Sequence, residues 1–365
     1  SQKEETGSAD KMIDILLGTD FKGNAVKWQP SHPQRGLNNS HMVIVGSSGS
    51  GKTTTINSIV KSLKVATIPS ILFDFKDDYV GKTFSDMSGA KVHDTIQGIP
   101  INPLDIPVDP GTEMAKVTTT VYEISGAIRK VFQLGVQQEA NLKEALFKLY
   151  ERYGINKGFQ KLDEDQIFPT FDELYDVIDD IGDGKLLNRI SPLFDLDMFK
   201  PSEEGLQSFL EGSVVIRFTQ LPTDEVKKVG SELLLMGIYN FILRLGHSKK
   251  PRFSIIIDEA HKIANLKAID TLMREARAYG VSVILSTQRA SDLSAHVYSN
   301  AGSIIIMKLS ESGDATAAAK IIGDQNTAKT LGDSIRSLGI GEAFLRNDHY
   351  NSPNVKLKII HPDDF

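Results

Sequence analysis

The chain has 365 residues, of which 40% are apolar and 24% charged, with a formal net charge of −6 and a pI near 5.8. This length allows one large or two ordinary domains with a sizeable core, and the composition is not that of a disordered protein. The negative net charge argues against a surface broadly covered with nucleic-acid contacts. A DNA-binding role would have to concentrate positive charge locally, for example in a channel.

The sequence contains no cysteine, which excludes disulfides, zinc–thiolate sites and cysteine nucleophiles. Its longest apolar run, around residues 281–285, is far shorter than the roughly 18 residues of a membrane span, and no signal peptide is visible. We therefore expect a cytoplasmic protein. Because the chain begins on Ser-Gln-Lys-Glu-Glu without a methionine, we also expect the natural protein to be longer at its N-terminus.

The N-terminal part predicts short elements ahead of a core. Residues 1–10 are expected to be a flexible lead, and residues 13–28 predict two short strands joined by a Gly-Asn turn. We expect residues 1–40 as a whole to pack on the core.

The core begins at residue 41. The apolar run 42–45 predicts a buried strand and residues 54–63 a helix, with a glycine-rich loop between them. Residues 70–75 predict a second buried strand that completes a βαβ unit. This places residues 76–79 at its C-terminal end, where parallel sheets bind ligands.

Residues 98–110 contain too many prolines for a central strand. Helical periodicity then governs residues 111–211, which we expect to form an inserted helical subdomain that adds partner or substrate contacts. Apolar runs separated by helices predict a mostly parallel sheet buried on both faces, so the fold class is α/β with core residues 41–110 and 212–365. The later predicted strands are 214–218, 253–257, 281–286 and 304–307, and the later predicted helices are 224–245 and 268–279.

Residues 46–53 match the phosphate-binding pattern G-x-x-x-x-G-K-[ST] in its required strand–loop–helix context. The glycines let backbone N–H groups turn inward around phosphates, and the helix start adds free N–H donors. Lys52 would place its charge on the β- and γ-phosphates, and the Thr53 hydroxyl would be a Mg²⁺ ligand. The predicted nucleotide-binding residues are Gly46, Ser47, Ser48, Gly49, Ser50, Gly51, Lys52, Thr53 and Thr54.

Two carboxylates, Asp258 and Glu259, follow the predicted strand 253–257 directly. A carboxylate at the end of a core strand adjacent to the phosphate loop can hold Mg²⁺ through water, and a second one can polarise an attacking water. Nucleotide hydrolysis requires mainly alignment and charge stabilisation. We therefore expect Asp258 to bind the metal and Glu259 to be the base.

Gln288 follows the next predicted strand, where its amide could contact the γ-phosphate or the attacking water; the alternative is a polar cap on the strand. Together these residues predict Mg²⁺-dependent ATP hydrolysis, which a Lys52→Ala substitution would abolish.

Several motifs, taken together, resemble the HerA/FtsK superfamily of P-loop ATPases. The block 273–281 leading into 286–289 is the specific part, because many other ATPases share only the first two motifs. The same motif order occurs in conjugative coupling and type IV secretion ATPases, and among HerA-like proteins the chain is also similar to an ATPase region of phosphorothioation-dependent DNA restriction. The resemblance extends over residues 12–110 and 212–350, and its remaining motifs are residues 42–55, 73–76, 101–104 and 257–261.

The resemblance implies a RecA-like core in a hexameric ring, with ATP at subunit interfaces, double-stranded DNA in the central pore and an arginine supplied across the interface. Arg274 and Arg277 match the family's basic positions and are the candidates for this catalytic role, with Arg346 in reserve. At i and i+3 on a helix, Arg274 and Arg277 are expected to share one face. The alternative is that they are solvated surface charges.

Two family features have no room in this sequence. HerA carries an N-terminal β-barrel, for which the residues before 40 are too few, and FtsK carries a C-terminal winged helix, for which the tail after 320 is too short. The chain thus resembles the motor alone.

We expect a ring motor that translocates on or remodels double-stranded DNA, in DNA processing or a restriction system with a possible nuclease partner. One alternative is a type IV secretion or conjugation-type ATPase that acts on protein or nucleoprotein. Another is a nucleotide-dependent switch with negligible turnover. The basic clusters that could contact DNA, or be ordinary solvated faces, are residues 129–130, 227–228 and 249–252; sixfold repetition would turn one pore lysine into a ring of charge.

Overall fold

The computed structural model describes residues 12–32, 36–37, 39–201, 205–263, 267–347 and 354–365. Within these ranges it contains thirteen strands and twelve α-helices. The strands are β1 (Ile15–Asp20), β2 (Ala25–Trp28), β3 (Met42–Val45), β4 (Ser70–Asp74), β5 (Lys91–Asp94), β6 (Ala115–Lys116), β7 (Phe159–Gln160), β8 (Val214–Arg217), β9 (Phe253–Ile257), β10 (Val281–Thr287), β11 (Ser303–Met307), β12 (Glu342–Asn347) and β13 (Val355–Ile359).

The helices separate most of these strands along the chain. They are α1 (Lys52–Val65), α2 (Lys82–Ser88), α3 (Val117–Phe132), α4 (Val136–Arg152), α5 (Glu173–Ile181), α6 (Gly184–Ile190), α7 (Gly205–Phe209), α8 (Asp224–Leu245), α9 (Lys267–Glu275), α10 (Ala295–Ser299), α11 (Ser312–Ile322) and α12 (Ala328–Arg336).

Eleven strands form one sheet, in the order β2-β1-β13-β12-β11-β3-β10-β9-β4-β8-β5. The seven strands from β11 to β5 are parallel, and the four at the other end are antiparallel. The central strands are buried at every position because helices cover both faces of the sheet. The prediction of an α/β fold with a mostly parallel sheet is confirmed.

Side chains of the central strands alternate between two hydrophobic clusters, as a strand's period of two requires. Met42 and Ile44 lie on the face that α1 covers. Val43 and Val45 lie on the opposite face, in one cluster with buried residues of α3 and α8. The phosphate-binding loop therefore leaves a strand that is fixed from both sides.

The order of the strands corrects one expectation. The predicted βαβ unit is present in sequence, but β3 and β4 are not neighbours, since β10 and β9 lie between them. Consequently Asp258, at the end of β9, is not on the strand adjacent to the phosphate loop. The strands adjacent to β3 are β10 and β11, and β10 ends at Thr287, next to Gln288.

The two N-terminal strands are present as predicted, joined by a turn that contains Gly23 and Asn24. They pack on the core by extending the sheet, because β1 pairs with β13 at the end of the chain. The predicted flexible lead, residues 1–10, lies outside the described residues.

Between β5 and β8 the chain is mainly helical, with α3 to α7 and the small hairpin of β6 and β7. Val121 and Ile124 of α3 share one hydrophobic cluster with Val229 and Leu233 of α8. These helices therefore pack on the core and do not stand apart from it. In the described part of the chain, no helix has the length and apolarity to cross a bilayer.

Candidate nucleotide site

The loop between β3 and α1 requires glycine at several positions. Gly49 and Gly51 have φ angles of 77° and 112°, in the left-handed region where a side chain is disfavoured. At Gly46 a Cβ atom would lie 2.4 Å from Ser50 Oγ, closer than two such atoms can approach. The glycine spacing of the sequence pattern thus corresponds to the backbone that the structure adopts.

The loop and the start of α1 fit a phosphate ligand. Helix α1 has 14 residues, no side-chain cap at Gly51 and no acidic residue in its first turn, so its N-terminal N–H groups suit an anion. The Lys52 ammonium donates to the carbonyls of Gly46 at 2.5 Å and Ser47 at 3.1 Å. The buried Ser50 hydroxyl has no partner among the described residues. A bound phosphate would give these donors an acceptor.

Burial lowers the pKa of Lys52, while the negative charges of Asp258 and Glu259 oppose that shift. Lys52 thus lies within electrostatic range of the two carboxylates that the sequence assigned to the same site. Thr53 and Thr54 are half-buried at the start of α1, and Ser48 is exposed.

Asp258 lies at the end of β9 with only 4% of its surface exposed. Its Oδ2 accepts a hydrogen bond of 2.7 Å from the Tyr79 hydroxyl, and its Oδ1 accepts one from Ser286. The carboxylate is therefore fixed in orientation from two sides.

Glu259, also 4% exposed, is held in a similar way. Its Oε1 accepts from Lys76 Nζ at 2.5 Å, and the Gln288 amide donates to Oε1 at 3.1 Å and Oε2 at 3.2 Å. Burial raises the pKa of Glu259, but the hydrogen bonds from Lys76 and Gln288 lower it, and the net pKa lies below its ordinary value. Glu259 is thus ionised at physiological pH.

Asp258 and Glu259 are each contacted from both sides, because β9 lies between β4 and β10. Lys76 and Tyr79 reach them from the loop after β4, while Ser286 and Gln288 reach them from the end of β10. Each carboxylate receives one group from either side. We call Asp258, Glu259 and these four partners the carboxylate clamp.

The loop after β4 is held by Asp74 and Arg217. Asp74 Oδ1 accepts from the N–H groups of Lys76 and Asp77 at 2.9 Å, and its Oδ2 accepts from the N–H of Tyr79 at 2.9 Å. Arg217 of β8 donates to both carboxylate oxygens of Asp77, at 2.8 and 2.7 Å. These contacts fix the positions from which Lys76 and Tyr79 reach the carboxylates.

Sequence reasoning predicted no specific contact for Lys76, Tyr79, Ser286 or His261. The signal for Lys76 and Tyr79 was their place after a parallel strand, without a pattern that named their partners. His261 lies beside Glu259, with Nε2 3.4 Å from Oε2. All four are polar residues that follow or end buried strands near the predicted carboxylates.

The oxygen ligands present suit Mg²⁺. The described residues contain no group of three or more His, Cys, Asp or Glu side chains that could hold a metal by themselves. Mg²⁺ in phosphate-binding sites takes one or two protein oxygens and completes its shell with phosphate oxygens and water. Thr53 and Asp258 would supply those protein contacts.

Arg274 and Arg277 are not part of the carboxylate clamp. Both are exposed, and Arg274 lies 3.4 Å from Glu275 of its own chain. Arg277 lies near the N-terminal ends of β3 and β10, close to His41. Burial of His41 is the main cause that lowers its pKa to about 4, and the charge of Arg277 lowers it further.

The two arginines do not lie on one continuous α-helix. Helix α9, which carries Arg274, ends at Glu275, and a 3-10 helix from Ala276 to Tyr279 carries Arg277. Arg274 lines a cavity of about 820 Å³ beside α3 and α8, whereas Arg277 lines a separate one of about 490 Å³ beside Ser40.

The reserve arginine and the basic clusters have partners within the chain. Arg346 of β12 donates to the carbonyl of Ile321 at 2.7 Å. Arg129 pairs with Glu139 at 3.0 Å, and Arg252 donates to the carbonyl of Gly246 at 2.6 Å, at the end of α8. These residues therefore help hold the fold.

Comparison with known families finds two matches along the chain. The family described as the central domain of the helicase HerA matches residues 36–236. The family described as the DNA-binding domain of the type IV secretion-system coupling protein matches residues 226–347.

Curated relatives cover most of the chain at low identity. The DNA double-strand break repair helicase HerA of Sulfolobus acidocaldarius is 22% identical over 347 residues, 86% of this chain and 64% of that protein. A probable helicase of Methanocaldococcus jannaschii is 23% identical over 321 residues, 84% of this chain and 59% of that protein. The chain thus spans less than two thirds of the length of these relatives.

Solved structures share the fold. VirB4 of Thermoanaerobacter pseudethanolicus has a TM-score of 0.75 at 19% identity, covering 99% of this chain and 98% of that chain. The plasmid coupling protein TrwB in complex with ADP and Mg²⁺ has a TM-score of 0.57 at 12% identity, covering 98% and 97%. The fold shared with these two proteins thus extends over nearly the whole of this chain.

Proposed function

The chain belongs to the family of the HerA helicase central domain, and from this membership we propose that it is the ATP-hydrolysing motor of a ring that translocates on or remodels double-stranded DNA. The observation that carries the proposal is the carboxylate clamp beside the glycine loop. A protein that only binds nucleotide has no need of a buried glutamate oriented by both a lysine and an amide.

Each residue of the site has a distinct task in this proposal. Lys52 and the N–H groups of residues 46–53 bind the phosphates, while Thr53 and Asp258 hold Mg²⁺, which supplies positive charge to the phosphate oxygens when bound. Glu259 orients the attacking water and accepts its proton on a carboxylate oxygen. Gln288 keeps that carboxylate in place through its amide, so hydrolysis depends on alignment.

The nucleotide is proposed to be ATP, and the working form a homo-oligomeric ring, most simply a hexamer. The family relatives named above are helicases, and the second family match is to a DNA-binding domain. These findings support DNA as the substrate that the ring encloses. A nuclease or another DNA-processing protein is the proposed partner.

A DNA titration tests this function. The rate of phosphate release is measured with Mg·ATP alone and with double-stranded DNA of increasing length, with single-stranded DNA of equal nucleotide content as the control. We expect stimulation by the duplex that grows with length until the ring is spanned. A rate that no length of duplex changes would contradict the DNA motor.

A type IV secretion-type ATPase is the second candidate, favoured by the fold shared with VirB4 at a TM-score of 0.75. Such an enzyme would hydrolyse ATP and act on protein or nucleoprotein. The same titration separates the two, because the secretion candidate predicts turnover without stimulation by free duplex.

A further inference from the structure

Tyr79 is buried completely, yet its hydroxyl contacts Asp258, the predicted magnesium-site carboxylate. It donates to Asp258 Oδ2 at 2.7 Å. Tyr79 therefore connects the loop after β4 to the end of β9.

The direction of the hydrogen bond follows from its chemistry. An ionised carboxylate can only accept, so the Tyr79 hydroxyl donates its proton to Asp258 Oδ2. The other oxygen of the carboxylate, Oδ1, accepts from Ser286, so hydroxyl donors hold both oxygens.

The tyrosine is itself fixed. Its N–H donates to Asp74 at 2.9 Å, and its ring meets Phe84 edge-on with centroids 5.2 Å apart. The hydroxyl thus has a defined position set by β4 and α2, independent of a ligand.

We propose that Tyr79 is a positioning residue for Mg²⁺, whose hydroxyl orients the Asp258 carboxylate for the ion. This inference rests on the proposed function, because it assigns Asp258 to the metal. Without the hydroxyl, Asp258 loses the donor on its Oδ2.

The test is the Mg²⁺ dependence of nucleotide binding in a Tyr79→Phe variant, which keeps the ring and removes only the hydroxyl. Affinity for a fluorescent ADP derivative is measured without metal and during a Mg²⁺ titration. We expect unchanged metal-free affinity and a half-saturating Mg²⁺ concentration raised about tenfold, the effect of one lost hydrogen bond to a charged group.

The matched control is Tyr150→Phe, which removes a buried hydroxyl whose partner is the carbonyl of Leu104 at 2.8 Å, in the helical segment. This variant should keep the Mg²⁺ dependence of the wild-type protein. Thermal unfolding without ligand is measured for all three proteins to compare the loss of stability.

Two results would overturn the inference alone. One is a Tyr79→Phe variant with the Mg²⁺ dependence of the wild-type protein. The other is an equal loss of metal-free and Mg²⁺-dependent binding, which would show that Tyr79 only supports the fold. If the wild-type protein itself shows no Mg²⁺-dependent ADP binding, the proposed function fails together with the inference.

Discussion

Glu259 occupies a left-handed backbone conformation, with φ 56° and ψ 45°. For a residue with a side chain this costs on the order of 1 kcal/mol, which the surrounding contacts must offset. The contacts are those of Lys76 and Gln288, whose hydrogen bonds hold the carboxylate in place. Backbone strain thus coincides with the residue that the proposed chemistry assigns as the base.

Removing Lys76 should change the pH dependence of hydrolysis. Its hydrogen bond and charge lower the pKa of Glu259, so a Lys76→Met substitution raises that pKa. Because the base acts when deprotonated, the acidic limb of the kcat/KM profile should move to higher pH. The exposed Lys82→Met variant, in α2, is the control. If the acidic limb does not move in Lys76→Met, either Glu259 is not the base or Lys76 does not set the pKa of Glu259.

At the scale of single residues, the sequence identifies site residues that belong to short, local patterns. The glycine loop, Lys52 and the pair Asp258–Glu259 follow from short patterns, whereas the Gln288 amide, expected at the γ-phosphate or the attacking water, donates to Glu259. The contacts of Lys76 and Tyr79 could not be predicted, because they join residues about 180 positions apart and depend on which strand lies beside β9. Strand order is not encoded in a local apolar run.

Among the helices, α8 carries a buried carboxyl group outside the nucleotide site. Glu232 is 2% exposed, and its Oε1 accepts from the N–H of Ala268 of α9 at 2.9 Å. Burial raises the pKa of Glu232 to about 7, a shift that the hydrogen bond and Lys130 oppose. The folded protein therefore binds this proton more tightly than the unfolded chain does.

The raised pKa of Glu232 makes the folded protein less stable as the pH rises. A raised pKa in the folded state stabilises the fold below the unfolded value and loses that contribution as the pH rises through about 7. The loss would be about 3 kcal/mol at most. We expect Glu232→Gln to raise Tm relative to wild type at pH 8 and to have little effect at pH 5, as measured by thermal unfolding.

The exposed Glu225→Gln variant, on the same helix, should give the same small difference at both pH values. An equal Tm difference at pH 5 and pH 8 for Glu232→Gln would show that Glu232 is not protonated on folding.

The elements that the sequence missed share a cause. Strand β5 has no apolar run, because it is an edge strand with half of its residues exposed, and its place comes from pairing with β8. Helix α9 was predicted to continue to residue 279, but it ends at Glu275 and tightens into a 3-10 helix before Gly280. Periodicity predicts the presence of such elements and not the pairing or the tightening that tertiary contacts impose.

At the scale of the whole molecule, no arginine side chain in the described part of the chain forms a hydrogen bond or ion pair with the carboxylate clamp. Arg274 and Arg277 are exposed and outside the carboxylate clamp, where they could serve a neighbouring subunit. An arginine delivered across an interface contributes on the order of 10³-fold or more to the rate in related phosphoryl-transfer enzymes. Because they line separate cavities, one of the two is expected to carry the effect.

We expect either Arg274→Ala or Arg277→Ala to keep ATP binding and to lose most hydrolysis, while the exposed Arg336→Ala variant of α12 keeps both. Mixing the inactive arginine variant with Lys52→Ala should restore part of the activity in hybrid rings, since each supplies what the other lacks. Full activity in a sample that sedimentation shows to be monomeric would contradict an arginine acting in trans.

The central claim is that Glu259, oriented by the clamp, makes this chain an ATPase. The most direct measurement is single-turnover phosphate release from Mg·ATP, together with the amount of bound ATP, for Glu259→Gln and for Glu232→Gln, a second buried glutamate outside the site. The account predicts that Glu259→Gln binds ATP and retains it unhydrolysed, while Glu232→Gln releases phosphate at the wild-type rate. Phosphate release by Glu259→Gln at the wild-type rate would contradict it.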